Sequence, residues 1–432
     1  MPAPLQKPPI TREQRPPTEE HEVAGKPVLH AAFPEQVAVS LPTLNEHVGR
    51  AWIAGAGLPD DEMMSSEHLR FRRVRGQLEI EDVSRNGTFV DGQRLSPQEW
   101  TPLEDGAVLR IGTTLLVYRE AFTGPDQPAP PLGRLIAPWG LGELRAAVTR
   151  LGSRSARNVL IQGDTGTGKE LLAAEIARVL RRGDDLYSAV NVAGIPQDRL
   201  EAELFGWESG AFTGGARQFK GIVRGCDKGA VFLDEIGELP LALQPKLLRL
   251  LENHEVQPLG ALRAEKVDVV ILAATNRKLE ERVSEGQFRA DLLARFPVRL
   301  FLPPFDERPE DIYAIARELF RAHNPSLDLG PVTVRVEAVE LMMLHDWPAN
   351  GRELGRLMQS LDPHVGLKLS LLRSVLDLKA SAKAPPMTPQ SVTAALNKSG
   401  WNQSAAARAL GVSRPRLLRM MKTHGIKRSG LG

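Results

Sequence analysis

The sequence predicts a multidomain chain. An antiparallel β-sandwich or barrel comes first, then a parallel α/β domain with a helical annex, then a small all-α unit. Three observations carry this. Short strand-like runs separated by turn residues occupy residues 35–122, and continuous apolar runs alternating with helical periods occupy residues 134–304. From residue 378 onward there is no Asp or Glu at all.

The totals set limits. A chain of 432 residues with 42% hydrophobic and 25% charged residues is too apolar for a disordered protein and long enough for several cores. No apolar run approaches the roughly 18–20 residues that span a bilayer, so no membrane partner is expected. The start of the chain lacks the apolar core of a signal peptide. Cys226 is the only cysteine, which excludes an intrachain disulfide and fits a cytoplasmic location. The net charge of +2 conceals an asymmetry. Ten of the 55 cations lie in residues 378–432, leaving 45 against 53 acids elsewhere, an excess of eight negative charges. An acidic body with a basic tail points to a polyanionic partner for the tail.

Along the chain, residues 1–34 are Pro-rich with few large apolar groups and are expected to be disordered. Residues 35–122 contain the runs Gln77-Leu78-Glu79-Ile80, Thr88-Phe89-Val90, Val108-Leu109-Arg110-Ile111 and Leu115-Leu116-Val117-Tyr118, read as alternating strands between Asn-Gly and Asp-Gly turns. Residues 123–133 are a Pro/Gly linker. In residues 134–304 the runs Val159-Leu160-Ile161 and Ala230-Val231-Phe232-Leu233 read as buried parallel strands. Residues 305–378 are helical and 379–386 form a polar link. Residues 387–432 open on a helix with Thr388 as N-cap and Pro389 at its first position.

The chemistry concentrates in the second domain. Gly163-Asp164-Thr165-Gly166-Thr167-Gly168-Lys169 follows an apolar strand and opens a helix. Glycines there let backbone N–H groups wrap phosphates, the helix N-terminus favours negative charge, and the lysine reaches the outer phosphates. Glu170 stands where a hydroxyl for magnesium is usual. The strand ending in Asp234-Glu235 offers one carboxylate to Mg2+ and one to an attacking water. Asn276 ends the next strand, where it would sense the terminal phosphate. Arg289 and Arg295 are candidate arginine fingers for a neighbouring subunit's ATP.

These residues, with Glu203-Leu204-Phe205-Gly206, Gly210-Ala211-Phe212-Thr213-Gly214-Gly215 and Trp347-Pro348-Ala349-Asn350-Gly351-Arg352-Glu353-Leu354, occur in an order that resembles the AAA+ domain of bacterial enhancer-binding proteins. Those proteins activate sigma-54 RNA polymerase, and the resemblance covers about residues 135–372. It implies an ATPase with a helical lid, working as a ring, typically a hexamer. Glu170 is usual in that family. By resemblance Asn191 switches the catalytic glutamate, Arg352 contacts nucleotide from the lid, and residues 210–215 contact sigma-54. Three departures stand out: Gly215 for alanine, which removes a methyl and adds backbone freedom, and Ala349 and Gly351 for glycine and valine. Gly351 inside a helical pattern costs about 1 kcal/mol against alanine.

Two further resemblances complete the expected architecture. In the tail, Ser413 caps a second helix bearing Arg414, Arg416, Arg419 and Lys422, after a turn at Gly411. Val412, Leu417, Leu418 and Met421 face inward. This resembles a Fis-type helix-turn-helix, which implies double-stranded DNA in the major groove as partner. In the first domain Gly49-Arg50, Ser65-Ser66-Glu67-His68 and Ser84-Arg85-Asn86-Gly87-Thr88 resemble a forkhead-associated (FHA) sandwich, which binds phosphothreonine peptides. Arg50 would hold phosphate, Ser65 would add a hydroxyl, and Asn86 would bond the peptide backbone. His68 is expected to be structural. Ser66 replaces a basic residue often found there, and Arg85 compensates. The expected function is an ATP-driven sigma-54 activator gated by a phosphothreonine protein. The alternative is a DNA-bound scaffold whose ATPase serves only assembly.

Overall fold

The computed structural model describes residues 25–152, 157–182, 186–211, 217–330, 334–362, 372, 388–410, 412, 417–418, 420–421 and 425–426.

The first unit is a two-sheet sandwich. Its strands are β1 (Lys26–Phe33), β2 (Val37–Val39), β3 (His47–Val48), β4 (Leu69–Val74), β5 (Gln77–Asp82), β6 (Thr88–Val90), β7 (Gln93–Arg94), β8 (Trp100–Pro102), β9 (Val108–Ile111) and β10 (Thr114–Phe122), with a short helix α1 (Arg50–Gly55). One sheet runs β2-β1-β10-β9-β6-β7 and the other β3-β4-β5-β8. Residues 1–34 are therefore not uniformly disordered. Strand β1 begins at Lys26, pairs with β10 from Lys26↔Phe122 to Phe33↔Leu115, and is buried from Val28 onward. A Pro-rich start masks a strand whose apolar run, Val28-Leu29-His30-Ala31-Ala32-Phe33, is centrally paired.

The strands β9 and β10 do not simply alternate. Leu109, Ile111, Leu116 and Tyr118 enter the sandwich interior. Val108, Leu115 and Val117 face the other way, yet they are equally buried, in a core shared with the helical annex. A run such as Leu115-Leu116-Val117-Tyr118 is what a strand covered on both faces requires.

The second unit holds helices α2 (Gly142–Leu151), α3 (Lys169–Val179), α4 (Gln197–Phe205), α5 (Gly221–Gly225), α6 (Gln244–Asn253), α7 (Leu279–Ser284) and α8 (Ala290–Leu293). Its strands are β11 (Asn158–Gln162), β12 (Tyr187–Asn191), β13 (Ala230–Asp234), the short hairpin β14 (Glu255–Val256) and β15 (Glu265–Lys266), β16 (Val270–Thr275) and β17 (Val298–Phe301). The five long strands form a parallel sheet ordered β12-β13-β16-β11-β17. Both faces are covered. Leu144, Val148, Leu172 and Ile176 of α2 and α3 pack on one face. Leu204, Leu247 and Leu250 of α4 and α6 pack on the other. The order places β16 between β13 and β11, so the carboxyl ends of these three parallel strands share one edge, where open parallel sheets bind ligands.

The annex contains α9 (Ile312–His323), α10 (Val336–Leu344) and α11 (Asn350–Ser360). Buried Trp347 ties the α10–α11 corner, its indole N–H donating to the Met342 carbonyl at 2.8 Å. The last unit has α12 (Pro389–Lys398) and α13 (Gln403–Leu410) around Val392, Leu396, Ala406, Leu410 and Leu417. Thr388 is the N-cap, in a reciprocal capping box with Ser391, and Pro389 opens the helix. Leu418, expected inward, is only half-buried.

His30, on the lid-facing side of β1, is fully buried between Trp139, stacked at 4.3 Å, and the edge of Phe122. Neither of its ring nitrogens has a hydrogen-bond partner. Burial pushes its pKa down to about 4, with Glu310 pulling it back up and Arg119 pushing it down. The unfolded chain therefore takes up this proton near pH 6.5 and the folded one only near pH 4, so stability is complete above pH 6.5 and falls as the pH drops. Between pH 7 and pH 4 this one group costs roughly 3 kcal/mol. Denaturant titrations across that range should show His30→Phe losing much less stability than the parent; equal acid limbs would contradict this.

Candidate functional site

At the edge formed by β11, β13 and β16, backbone conformation comes first. Gly166 and Gly168 have φ of 80° and 107°, the left-handed region that glycine tolerates. A Cβ on Gly166 would lie 2.2 Å from the Ala349 carbonyl, so the loop and the lid approach too closely for any side chain. The loop ends at Lys169, the first residue of α3. Lys169 is buried, and its ammonium donates to the Gly163 and Asp164 carbonyls at 2.9 and 3.1 Å. Burial pulls its pKa down, while Glu235, Asp234 and Asp164 pull it back.

Across the edge, Asp234 ends β13 and Glu235 follows in a left-handed conformation, φ 55°. A charged residue in this region stores backbone strain, which concentrates at functional sites. The Asp234 carboxylate accepts the Glu235 N–H at 3.0 Å. Asn276 closes the set: its N–H lies 3.4 Å from the Glu235 carboxylate and its amide donates to Thr165 Oγ1 at 3.1 Å. Asn191 stands at the end of β12 opposite Asp234, but its side-chain Oδ1 accepts from the Gly194 N–H at 3.2 Å. The expected residues Gly163, Asp164, Thr165, Gly166, Thr167, Gly168, Lys169, Asp234, Glu235 and Asn276 thus converge. Glu170 is exposed on the first turn of α3, and Arg352 is exposed on the first turn of α11. Arg289 pairs with Asp291 at 2.7 Å and Arg295 with Glu252 at 2.6 Å, both half-exposed on the surface around α8.

Sequence reasoning missed the clamp from the lid. Buried Asn350 accepts the Phe305 N–H at 2.7 Å and donates to the Thr165 carbonyl at 3.1 Å. The Gly351 N–H donates to the Gly166 carbonyl at 3.0 Å. A Cβ on Gly351 would sit 3.0 Å from that same carbonyl, so this glycine permits contact as well as costing helix propensity. Arg308 is also buried at this seam, its Nη2 3.5 Å from the Thr167 carbonyl, and Asp311 accepts the Trp139 and Gly140 N–H groups. The signal available in the sequence is the run Trp347-Pro348-Ala349-Asn350.

From Asn191 the chain passes through α4 to Gly206 and the loop 206–219. Its base is pinned by Trp207, which exchanges backbone hydrogen bonds with Phe219 and packs on its ring at 4.6 Å. Leu259 brackets the same point: its N–H donates to the Gly206 carbonyl and its carbonyl accepts from Glu208. Gly210 has φ 83° and Ala211 follows it; Phe212, Thr213, Gly214 and Gly215 lie outside the described residues. So do Ser413, Arg414, Arg416, Arg419 and Lys422.

In the sandwich, two loops meet. Arg50, half-exposed at the start of α1, donates to the Met64 and Glu62 carbonyls and lies 3.6 Å from Asp60. Ser65 Oγ accepts the Arg85 N–H at 3.3 Å, and the Asn86 amide donates to the Met63 carbonyl at 2.7 Å. Two buried residues hold them. His68 Nδ1 accepts the Ser65 N–H at 3.0 Å, as its expected structural role requires, and Asp82, which sequence reasoning missed, accepts from Ser84 and Thr88.

Among the described residues there is no cluster of three or more metal-ligating side chains and no helix long and apolar enough to cross a membrane.

Comparison with known proteins gives four family models in order. The FHA domain matches residues 47–112, the sigma-54 interaction domain 141–300, the AAA+ ATPase lid domain 306–362, and the bacterial regulatory protein, Fis family, 391–424. The anaerobic nitric oxide reductase transcription regulator NorR of Aeromonas hydrophila is 33% identical over 432 residues, covering 92% of this chain and 80% of that protein. The DNA-binding transcriptional activator HyfR of Escherichia coli is 38% identical over 304 residues, 63% of this chain and 45% of HyfR. The chain spans less than half the length of several such relatives. Among solved structures, NtrX from Brucella abortus in complex with ADP is 27% identical, with a TM-score of 0.50 over 68% of this chain and 70% of NtrX.

Proposed function

The chain belongs to the family of sigma-54-dependent transcriptional regulators, and on that premise we propose that it is an ATP-hydrolysing activator that binds DNA upstream and remodels sigma-54 RNA polymerase. The observation that supports this most is the convergence of Lys169, Asp234, Glu235 and Asn276 on one sheet edge, one helix away from the base of the 206–219 loop.

The residues fit ATP. The glycine cradle leaves room for phosphates that a Cβ would occupy, and the buried Lys169 ammonium supplies the charge to hold them. Asp234 is the carboxylate for Mg2+, which commonly binds through one or two carboxylates and the substrate phosphates. Magnesium there would neutralise charge on the phosphates. Glu235 orients and deprotonates water, and Asn276, bonded towards both Thr165 and Glu235, aligns the loop with the base. Arg289 and Arg295 act on the ATP of a neighbouring copy in a ring.

ATP binding itself needs only the one chain, whereas hydrolysis needs the ring. The loop 210–215 then contacts sigma-54 through Phe212 and Thr213, and the tail cations meet DNA.

Regulation enters through the FHA unit. Arg50, Ser65, Arg85 and Asn86 line the two loops that meet at its end, and a phosphothreonine held there replaces the carbonyls that Arg50 now engages. Arg50→Ala should weaken a phosphothreonine peptide by about 2 kcal/mol or more, read by calorimetry. Equal binding of the unphosphorylated peptide would overturn the phosphate reading. The activator reading is tested by ATP-dependent opening of a sigma-54 promoter in vitro; hydrolysis without opening would favour a scaffold.

A further inference from the structure

The outer face of the FHA sheet is not free. Ala32, Phe33, Val108, Leu115 and Val117 are buried in one core with Tyr313, Ile315, Val339, Met342 and Met343 of the lid. The Phe33 ring meets the Tyr313 ring edge-on at 5.0 Å. Two ion pairs with little exposure flank this core. Arg110 on β9 donates from Nε to Glu340 on α10 at 2.8 Å while its guanidinium lies 3.7 Å from the centre of the Phe89 ring. Arg119 on β10 donates to both Glu310 carboxylate oxygens, from Nε to one at 2.9 Å and from Nη2 to each at 2.7 Å, and to the Glu307 carbonyl at 2.8 Å. Glu310 and Glu340 are both buried, and a buried carboxylate is tolerated only where it is paired. From the lid, Asn350 and Gly351 reach the Thr165 and Gly166 carbonyls of the phosphate loop.

We propose that the FHA sandwich and the lid form a single body, so that the grip of the sandwich on α10 sets how firmly the lid closes on the nucleotide. The sandwich contributes five buried residues, Ala32, Phe33, Val108, Leu115 and Val117, to the lid's core, and a lid without it would expose apolar surface on α9 and α10. Loosening the FHA side therefore frees the lid and weakens nucleotide binding, although none of the altered residues touches the phosphate loop. This inference rests on the reading of residues 163–170 as a nucleotide site.

The test uses full-length protein and a fluorescent ADP analogue. Arg110→Ala and Glu340→Gln should each weaken ADP by at least about fivefold. Hydrogen exchange in β9 and α10 should rise in both. Arg110→Lys, which keeps the charge and the fold but loses the planar fork, should shift both readouts in the same direction. The reversed pair, Arg110→Glu with Glu340→Arg, should recover affinity. Unchanged ADP affinity in variants whose interface exchange has risen overturns the inference, as does exchange that does not rise. If Lys169→Ala loses ADP while the interface variants bind it normally, the nucleotide site stands and the coupling fails. If the parent protein does not bind ADP, both fail.

Discussion

Replacing Glu235 with Gln should leave ATP binding intact and lower hydrolysis by about a hundredfold or more, the usual contribution of a positioned general base. The expectation follows from position. Glu235 follows β13 in a left-handed conformation that places its carboxylate beside the Asn276 N–H at 3.4 Å, on the strand-end edge it shares with Lys169. The amide keeps the shape and the hydrogen bond but cannot take a proton. Lys169→Ala differs in kind, because it removes the cation held by the Gly163 and Asp164 carbonyls and should abolish nucleotide binding. Phosphate release and fluorescent-nucleotide titration separate the two. Hydrolysis at the parent rate in Glu235→Gln would remove Glu235 from the mechanism.

Thr213→Ala should leave hydrolysis unchanged and slow promoter opening by at least about tenfold, or roughly 1.4 kcal/mol in the barrier. The loop that carries Thr213 is anchored at Trp207, Phe219 and Leu259, none of which bonds to the phosphate loop. Its base connects to the nucleotide edge through α4 and Asn191. The nucleotide-edge residues and the loop base at Gly206 belong to different elements, and a change in the loop should uncouple hydrolysis from promoter opening. Loss of both activities together would contradict this separation.

Where function depends on contiguous residues, the sequence was readable. The phosphate loop, the Asp234-Glu235 strand end and the Thr388-Pro389 cap each rest on neighbours in the chain, and each forms as expected. The lid clamp was not readable in this way. Asn350 and Gly351 act on Thr165 and Gly166 across nearly the whole ATPase domain, and only packing brings them together. The strand β1 was hidden by the prolines before and after it. The docking face is visible in the sequence in principle, since Leu115-Leu116-Val117-Tyr118 is apolar at every position and does not alternate. A strand that contacts solvent on one face would have needed polar residues at Leu115 and Val117.

In the proposed mechanism, nucleotide hydrolysis at Lys169 and Glu235 drives remodelling of sigma-54 polymerase through residues 210–215. Its most direct test is promoter melting, followed by permanganate footprinting, with purified protein, sigma-54 holoenzyme, promoter DNA and ATP. Melting is expected with the parent protein, none with Glu235→Gln, and melting at least about tenfold slower with Thr213→Ala despite normal hydrolysis. A parent protein that hydrolyses ATP and binds the DNA but leaves the promoter closed would contradict it.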